Sequence, residues 1–193
     1  MSSEAPGTIL ALGDPMSTMR TMTEAELMAL PRDGFKRELV DGEIVVSPAG
    51  PRHGYVIIRL GARLWTHVES HDLGYVLDSS TGCWMPSGNL RVPDLTFVAK
   101  DRLPDGPGDA FLRVVPDLLA EVLSPGDSPR RILDKVGEYL AAGVRLVWVI
   151  DPRTRRATAH RSLTEVHDLG EDDALDGEDV VPGFRCRLGD VVG

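Results

Sequence analysis

Two hydrophobic periods alternate along the chain, and each change of period marks a boundary between a predicted helix and a predicted strand. After His53, apolar positions recur every three to four residues, and this spacing predicts an amphipathic helix that ends near Ser70. Its apolar stripe consists of Ile57, Leu60, Leu64 and Val68. The pair Ser128-Pro129 is typical of a helix start and Gly143 of a helix end, so a second helix is predicted between them.

Short apolar runs bounded by Gly, Pro, Ser and Asn predict the strands of a sheet. These runs are Tyr75–Leu77, Cys83–Met85, Leu95–Val98, Leu118–Leu123, Leu146–Ile150 and Ala157–Arg161. The run Leu118–Leu123 is almost continuously apolar, which is typical of a buried strand. Strands that alternate with helices predict an α/β protein with a mixed sheet.

The first fifty residues carry two local signals. Asp41-Gly42 lies in the middle of the β-prone segment Glu38–Val45 and predicts a two-residue hairpin turn. Before it, Thr23 and Glu26 have the spacing of a capping box, in which each side chain bonds the other residue's backbone amide. A short helix is therefore predicted to begin there and to end at Pro31.

Length and composition predict one domain. The chain has 193 residues, of which 42% are hydrophobic, enough for one good core. Residues 1–19 show no period, so we predict a flexible lead-in and a single domain over residues 20–193. The acidic segment after Arg161 is predicted to be rich in loops. No apolar stretch approaches the roughly 20 residues of a membrane helix, and no secretory signal is evident, so we expect a soluble, cytoplasmic protein without membrane contacts.

Charge and cysteine content narrow the functional classes. The net charge of -9 works against loose attraction to nucleic acid, although the basic clusters Arg130-Arg131 and Arg153–Arg156 could face a polyanion locally. Cys83 and Cys186 lack CxxC spacing and neighbouring histidines, so we predict buried or idle thiols and no zinc site. No GxSxG elbow and no glycine-rich phosphate loop is present, which leaves hydrolases of those types without support.

Carboxylates in apolar surroundings are the strongest chemical signal in the sequence. Glu121 lies inside the strand Leu118–Leu123, and Asp94 stands directly before the apolar strand Leu95–Val98. Burying an ionised carboxyl costs several kcal/mol unless a cation or hydrogen-bond donors replace its water. Hard divalent cations such as magnesium accept one or two carboxylates, so a shared metal is expected. Lys135, at the border of the second helix's apolar stripe, could reach inward to balance charge.

Several short motifs occur in a characteristic order. They are Glu38-Leu39-Val40-Asp41-Gly42-Glu43, Ser47-Pro48, His53-Gly54, Val92-Pro93-Asp94, Pro116-Asp117-Leu118 and Glu121-Val122-Leu123-Ser124-Pro125, then Lys135, Tyr139, Gly143-Val144, Trp148, Asp151-Pro152 and Val181-Pro182-Gly183-Phe184. Each is weak alone, but as an ordered set they are specific. The set resembles the Uma-two family of putative restriction endonucleases over roughly residues 20 to 193.

The resemblance implies a restriction-endonuclease-like PD-(D/E)XK core with an N-terminal helix and a β-hairpin. It implies that Asp94 and Glu121 bind Mg²⁺ or Mn²⁺, with the Val122 carbonyl as an extra ligand, and that Glu38 is a further acid at the edge of the site. The usual motif has a lysine two positions after the second acid, and Leu123 stands there in this chain. Lys135 is the candidate replacement.

Structural interpretations of the same residues remain open. Asp94 could be a turn aspartate, Glu38 an exposed hairpin glutamate, and Glu121 half of a structural ion pair with Lys135. His53 is a secondary candidate for proton transfer, but ordinary local hydrogen bonds at a helix start are the favoured interpretation. The three tryptophans are interpreted as core or sheet-covering residues: Trp65, Trp84 and Trp148.

Two functional hypotheses follow. The first is a Mg²⁺- or Mn²⁺-dependent endonuclease that hydrolyses phosphodiester bonds in nucleic acid, with DNA as the expected partner. The second is a nuclease-fold protein that binds partners without cleaving, which the acidic charge and the missing lysine at Leu123 favour. The resemblance also makes pairing into a homodimer plausible.

Overall fold

The computed structural model describes residues 22, 24–29, 36–47 and 50–193. The chain divides into two compact units, residues 1–30 and 31–193. In the first unit, the helix α1 (Glu24–Met28) forms where the capping signal predicts a helix. The predicted lead-in over residues 1–19, the capping residue Thr23 and the predicted helix end at Pro31 lie outside the described residues.

The second unit begins with the predicted hairpin. It pairs β1 (Lys36–Val40) with β2 (Glu43–Ser47), and Glu38 lies opposite Val45. Both turn residues have a positive φ, 51° at Asp41 and 83° at Gly42, as the tight hairpin turn requires. Two short strands, β4 (Cys83–Trp84) and β5 (Leu90–Arg91), complete a four-stranded sheet in the order β2-β1-β5-β4.

A six-stranded mixed sheet forms the centre of the unit, in the order β10-β9-β8-β7-β6-β3. Its strands are β3 (Gly74–Asp78), β6 (Leu95–Ala99), β7 (Leu118–Val122), β8 (Leu146–Asp151), β9 (Arg156–His160) and β10 (Val166–Leu169). Strands β7 and β8 pair in parallel, and the helix α3 (Pro129–Ala142) connects them. The other pairs are antiparallel. The predicted α/β class and mixed sheet are therefore confirmed.

Two helices supply the cores on the two faces of this sheet. The helix α2 (Pro51–Ser70) buries Val56, Leu60, Leu64 and Val68 in one apolar cluster, which includes Leu118, Ala120 and Val122 of β7. The helix α3 buries Val136 and Tyr139 in a second cluster, which includes Leu119 of β7. Successive residues of a strand point to opposite faces, so Glu121 shares the α3 face with Leu119.

The C-terminal segment after Arg161 is rich in loops, as predicted, but it also contains regular structure. Besides β10, it holds β11 (Ala174–Asp176), β12 (Arg185–Arg187) and the short helix α4 (Gly189–Val192). Strands β11 and β12 each bury a single residue, Leu175 and Cys186. Strand β10 is an edge strand with no fully buried residue. Such short, mostly exposed strands lack the apolar alternation from which strands are predicted.

Two further predictions concern membrane-spanning helices and the cysteines. Within the described part of the chain, no helix is both long and apolar enough to cross a bilayer. Both cysteines are buried and outside any disulfide, which agrees with the prediction of buried thiols.

Candidate active site

The two predicted acids meet at one end of the six-stranded sheet. Asp94 directly precedes β6 and Glu121 lies near the end of β7, and these positions are adjacent because the two strands run antiparallel. The Asp94 N–H donates to the Ala120 carbonyl at 3.1 Å. The Val122 N–H donates to Asp94 Oδ2 at 2.7 Å. Both carboxylates are buried, with exposures of 1% and 5%, so neither is an ordinary surface acid.

Lys135 reaches the acids from α3, as predicted. Its Nζ lies 2.9 Å from Glu121 Oε1 and 2.9 Å from Glu38 Oε1, so one ammonium bridges two carboxylates. The Tyr139 hydroxyl, one helical turn further along α3, donates to the same Glu121 oxygen at 2.7 Å. Leu123 packs in the apolar cluster beneath α3. The ammonium beside Glu121 therefore comes from the helix and not from the strand.

Glu38 is a buried member of this group and not an exposed hairpin residue. Its Oε1 accepts the Val92 N–H at 2.9 Å, and Arg91 Nη1 donates to Oε2 at 3.2 Å. Arg91 Nε also donates to Glu138 of α3 at 2.6 Å. These bonds attach the hairpin to both β5 and α3, which holds Glu38 against Lys135.

Asp94 has two cationic or polar neighbours besides the Val122 amide. Lys36 Nζ donates to Oδ1 at 2.7 Å, and His53 Nε2 lies 3.0 Å from Oδ2. The bond of His53 crosses 41 positions of sequence, so the interpretation that it makes local hydrogen bonds was wrong.

The contributors that were not predicted include Lys36, Arg91 and Tyr139. Lys36 is two residues before Glu38 in β1, and alternation along a strand would have put both on one face. Tyr139 is four residues after Lys135, the spacing that places two side chains on one face of a helix. Arg91 carried no comparable signal, because its strand has only two residues.

The surroundings of the three acids shift their pKa values in different directions. Burial acts to raise the pKa of Asp94, but the His53 hydrogen bond and the Lys36 charge outweigh it and hold that pKa well below its usual range. Burial also acts to raise the pKa of Glu38, but the charge and hydrogen bond of Lys135 outweigh burial, and the pKa of Glu38 is lowered. At Glu121 burial dominates over the attraction of Lys135, and the pKa is raised. Glu121 thus binds a proton more readily than Asp94 does.

Lys135 remains a cation in these surroundings. Burial acts to lower its pKa, but the charges of Glu121 and Glu38 outweigh burial and raise it. Burial and the neighbouring charge of Glu121 also raise the pKa of Tyr139 well above its ordinary value. The tyrosine therefore stays a hydrogen-bond donor to Glu121. Neither residue is suited to act as a general base.

The acids and their cationic neighbours line one cleft with a cavity volume of about 80 Å³. Its walls include Lys36, Glu38, His53, Arg91, Asp94, Glu121, Val122, Ser124, Asp127, Arg131 and Lys135. A water needs roughly 10–15 Å³ of such volume, so the cleft has room for a small hydrated ion or one oxygen-rich group. The cleft is predominantly polar, which suits a charged ligand.

The carboxylates of Asp94 and Glu121 fit a hard divalent cation that takes few ligands from the protein. Among the described residues, no group of three or more His, Cys, Asp and Glu could hold a metal ion. Magnesium commonly takes one or two carboxylates and completes its shell with water and substrate oxygens, and Asp94 and Glu121 offer that pair in one cleft. The ammonium of Lys36 on Asp94 Oδ1 indicates that the position attracts a cation. The Val122 carbonyl remains a predicted ligand. The backbone N–H of Val122 donates to Asp94.

Comparison with known proteins agrees with this architecture. A putative nuclease of the DUF820 family from Anabaena variabilis has a crystal structure that superposes with a TM-score of 0.77, covering 89% of this chain and 97% of that one. The two sequences are 19% identical, so the likeness establishes the fold. No curated protein matches the chain. Residues 24–189 match the Uma2 family, whose description is "Putative restriction endonuclease". The chain therefore belongs to the Uma2 family of putative restriction endonucleases.

Proposed function

We propose that this protein is a Mg²⁺- or Mn²⁺-dependent endonuclease that hydrolyses phosphodiester bonds in DNA. The observation that carries the proposal is the meeting of Asp94, Glu121 and Lys135 in one polar cleft. Two buried acids with a largely buried ammonium cost folding free energy, and such an arrangement is typical of a functional site. DNA is the proposed substrate because the family is described as restriction endonucleases.

In this proposal Asp94 and Glu121 hold the cation. When bound, a divalent ion neutralises charge on a phosphate and activates water for attack. Lys135 contributes a fixed positive charge beside Glu121, since its raised pKa keeps it protonated. Glu38 acts as a positioning residue, because its carboxylate holds the Lys135 ammonium at 2.9 Å. His53, bonded to Asp94, orients that carboxylate from the start of α2.

The rim of the cleft supports a polyanionic substrate despite the net charge of -9. Arg131 lines the cleft, and Arg130 beside it at the start of α3 is almost fully exposed. Phosphate groups are bound chiefly by such arginines and lysines, so local charge matters more than the total. We propose that the nucleic-acid backbone passes along this end of α3.

A second candidate function is nucleic-acid or partner binding without cleavage. The observation that favours it is the crowding at Asp94, whose two oxygens already accept bonds from Lys36 and from the Val122 N–H, with His53 beside the second. If these bonds persist, the acid serves the structure and holds no metal. Metal dependence separates the two functions.

The test is plasmid nicking by purified protein in the presence of Mg²⁺, Mn²⁺ or EDTA. The nuclease proposal expects cutting with either metal, no cutting with EDTA, and loss of cutting in Asp94→Asn and Glu121→Gln variants that remain folded by circular dichroism. Cutting that survives in both variants would indicate a contaminating nuclease. A folded wild type that cuts neither DNA nor RNA would favour the binding function.

A further inference from the structure

Lys36 makes a partly buried ion pair with Asp94. It opens β1, its side chain is 16% exposed, and its Nζ lies 2.7 Å from Asp94 Oδ1. The other Asp94 oxygen accepts the Val122 N–H and lies beside His53. Lys36 is therefore the group on the Oδ1 side of Asp94, and it faces the cleft.

The charge balance of the cluster limits what else can enter. Four carboxylates, those of Glu38, Asp94, Glu121 and Glu138, contact three permanent cations, those of Lys36, Arg91 and Lys135. A divalent cation added to this set would leave an excess of positive charge in the cleft. Removal of one resident cation would restore neutrality, and this lowers the electrostatic cost of metal binding.

Lys36 is the resident cation that is easiest to displace. Lys135 is held by two carboxylates, Glu38 and Glu121, and Arg91 is likewise held by two, Glu38 and Glu138. Among the described residues, Lys36 forms an ion pair with one carboxylate, that of Asp94. A flexible lysine with a single partner exchanges that partner for water at a lower cost than a bridging cation does.

We infer that Lys36 competes with the metal ion for Asp94 Oδ1 and thereby weakens metal binding at the candidate site. The inference rests on the proposed function, because it takes Asp94 as a metal ligand. It assigns Lys36 a role in setting the divalent-ion concentration at which the site fills. A lysine that instead only held Asp94 in place would strengthen metal binding, which is the opposite effect.

The test is Mn²⁺ binding to the full chain, measured from the electron paramagnetic resonance signal of the free ion, without nucleic acid. Lys36→Met and Lys36→Gln are expected to bind Mn²⁺ roughly tenfold more tightly than wild type, since a close competing charge is removed. Lys36→Arg is expected to bind no more tightly than wild type. Lys100→Met, which alters an exposed lysine paired with Asp72, is the matched control and is expected to leave binding unchanged.

The outcomes separate this inference from the proposed function. Wild-type binding that is lost in Asp94→Asn, together with equal or weaker binding by folded Lys36→Met and Lys36→Gln, overturns the role of Lys36 and leaves the metal site in place. No Mn²⁺ binding by wild type or by any variant overturns both. Tighter Mn²⁺ binding by both Lys36→Met and Lys36→Gln, together with wild-type affinity in Lys100→Met, establishes the competition.

A separate observation concerns the outer face of α2. Three large apolar side chains, Tyr55, Ile58 and Trp65, are 49%, 68% and 53% exposed, and the interpretation of Trp65 as a core residue was wrong. With Ala62 they recur every three or four residues, so they form one stripe opposite the buried face. We call these four residues the α2 stripe. Contiguous exposed apolar surface of this kind is typical of an interaction site.

Charge along α2 indicates which partner the stripe fits. Arg52 and Arg59 lie toward the start of the helix, and Glu69 lies near its end. In an antiparallel pair of α2 helices centred on Ala62, Glu69 of one copy would lie beside Arg52 and Arg59 of the other. Ile58 and Trp65 would meet across the axis, and the small Ala62 would allow close approach. This self-complementarity is the property that a two-fold interface requires.

We propose that the α2 stripe is a homodimer interface between two copies of this chain. The test is sedimentation equilibrium from about 1 to 100 μM, the range of a transient to stable dimer. Wild type is expected to be dimeric, Ile58→Glu monomeric, and Glu69→Arg weakened at least tenfold, with association restored when Arg52→Glu is added. Leu163→Glu, on an exposed apolar residue outside α2, is the control and is expected to dimerise normally. A monomeric wild type, or a dimer that survives Ile58→Glu, overturns the proposal.

Discussion

The chain contains the sequence Val-Pro-Asp-Leu twice, at residues 92–95 and 115–118, and the two copies differ in position and in neighbours. Each copy leads into a buried strand, β6 or β7. Each aspartate is buried, with exposures of 1% at Asp94 and 2% at Asp117. Because β6 and β7 run antiparallel, the two aspartates lie at opposite ends of the sheet.

Their partners show why only one belongs to the candidate site. Asp117 accepts the Ala99 N–H at 2.9 Å and an Arg102 N–H at 2.8 Å, bonds that tie the end of β6 to the segment that follows it. Asp94 shares a cleft with Glu121 and Lys135. Burial of an acid is therefore insufficient evidence for function. A second acid and an opening to solvent distinguish the catalytic candidate from the structural aspartate.

The largest expected effect separates these two aspartates by activity. Asp94→Asn is expected to reduce plasmid nicking about 1000-fold, because a neutral amide is a poor ligand for a hard cation. Asp117→Asn is expected to cut at nearly the wild-type rate per folded molecule, since it lies at the far end of the sheet. The measurement is the initial nicking rate in Mg²⁺, normalised to folded protein. Equal losses in both variants would contradict the distinction.

The next effect concerns the lysine that accompanies the candidate acids. Lys135→Met is expected to lower the free energy of unfolding by about 3 kcal/mol, because it leaves two buried carboxylates without their shared cation. Lys100→Met, in an ion pair exposed to solvent, is the matched control and is expected to change the free energy of unfolding little. Urea unfolding followed by circular dichroism measures both. A cost for Lys135→Met no larger than for Lys100→Met would show that the buried pairs contribute little.

The pH dependence of stability is expected to have opposite signs at Asp94 and Glu121. The lowered pKa of Asp94 stabilises the fold above about pH 4, and this stability is lost as the pH falls further toward the folded-state pKa. The raised pKa of Glu121 stabilises the fold below about pH 4, and this stability is lost as the pH rises through the folded-state pKa.

Variants at these positions test the two signs. Between pH 4 and pH 3, Asp94→Asn is expected to lose about 1 kcal/mol less stability than wild type does. Glu121→Gln is expected to lack the stabilising contribution that protonation of Glu121 makes in wild type on acidification from about pH 7 to pH 4. Urea midpoints at each pH give the values. Unchanged pH profiles in both variants would refute the assigned shifts.

The smallest effect tests the structural aspartate through its partner. Arg102→Met removes the guanidinium from Asp117, but Arg145 Nη1 lies 3.9 Å away and the Ala99 N–H remains bonded. Because Arg102 is one-third exposed, the expected loss of stability is only about 1 kcal/mol. Mn²⁺ affinity is expected to be unchanged. A changed Mn²⁺ affinity, measured by electron paramagnetic resonance, would link Asp117 to the site after all.

Local patterns determined most of the architecture. The periodic apolar positions predicted α2 and α3, Asp41-Gly42 predicted the hairpin turn, and the continuous apolar run predicted β7. Glu121 was recognisable because an acid within a buried strand is costly wherever that strand lies. Such signals are local: a few neighbouring residues suffice to express period, turn and burial. The short strands β5 and β11 were too brief to show a period.

The contacts of the candidate site were decided by the tertiary structure alone. Lys36 and Asp94 are 58 residues apart in sequence, and His53 and Asp94 are 41 apart, so no local pattern joins them. The two Val-Pro-Asp-Leu copies are indistinguishable as sequence, and the antiparallel pairing of β6 and β7 separates Asp94 from Asp117. Trp65 was expected to cover the core or the sheet because it is a large apolar residue, but it lies on the side of α2 that faces away from the sheet. Strand order, register and helix rotation set these contacts, and each depends on packing across the whole domain.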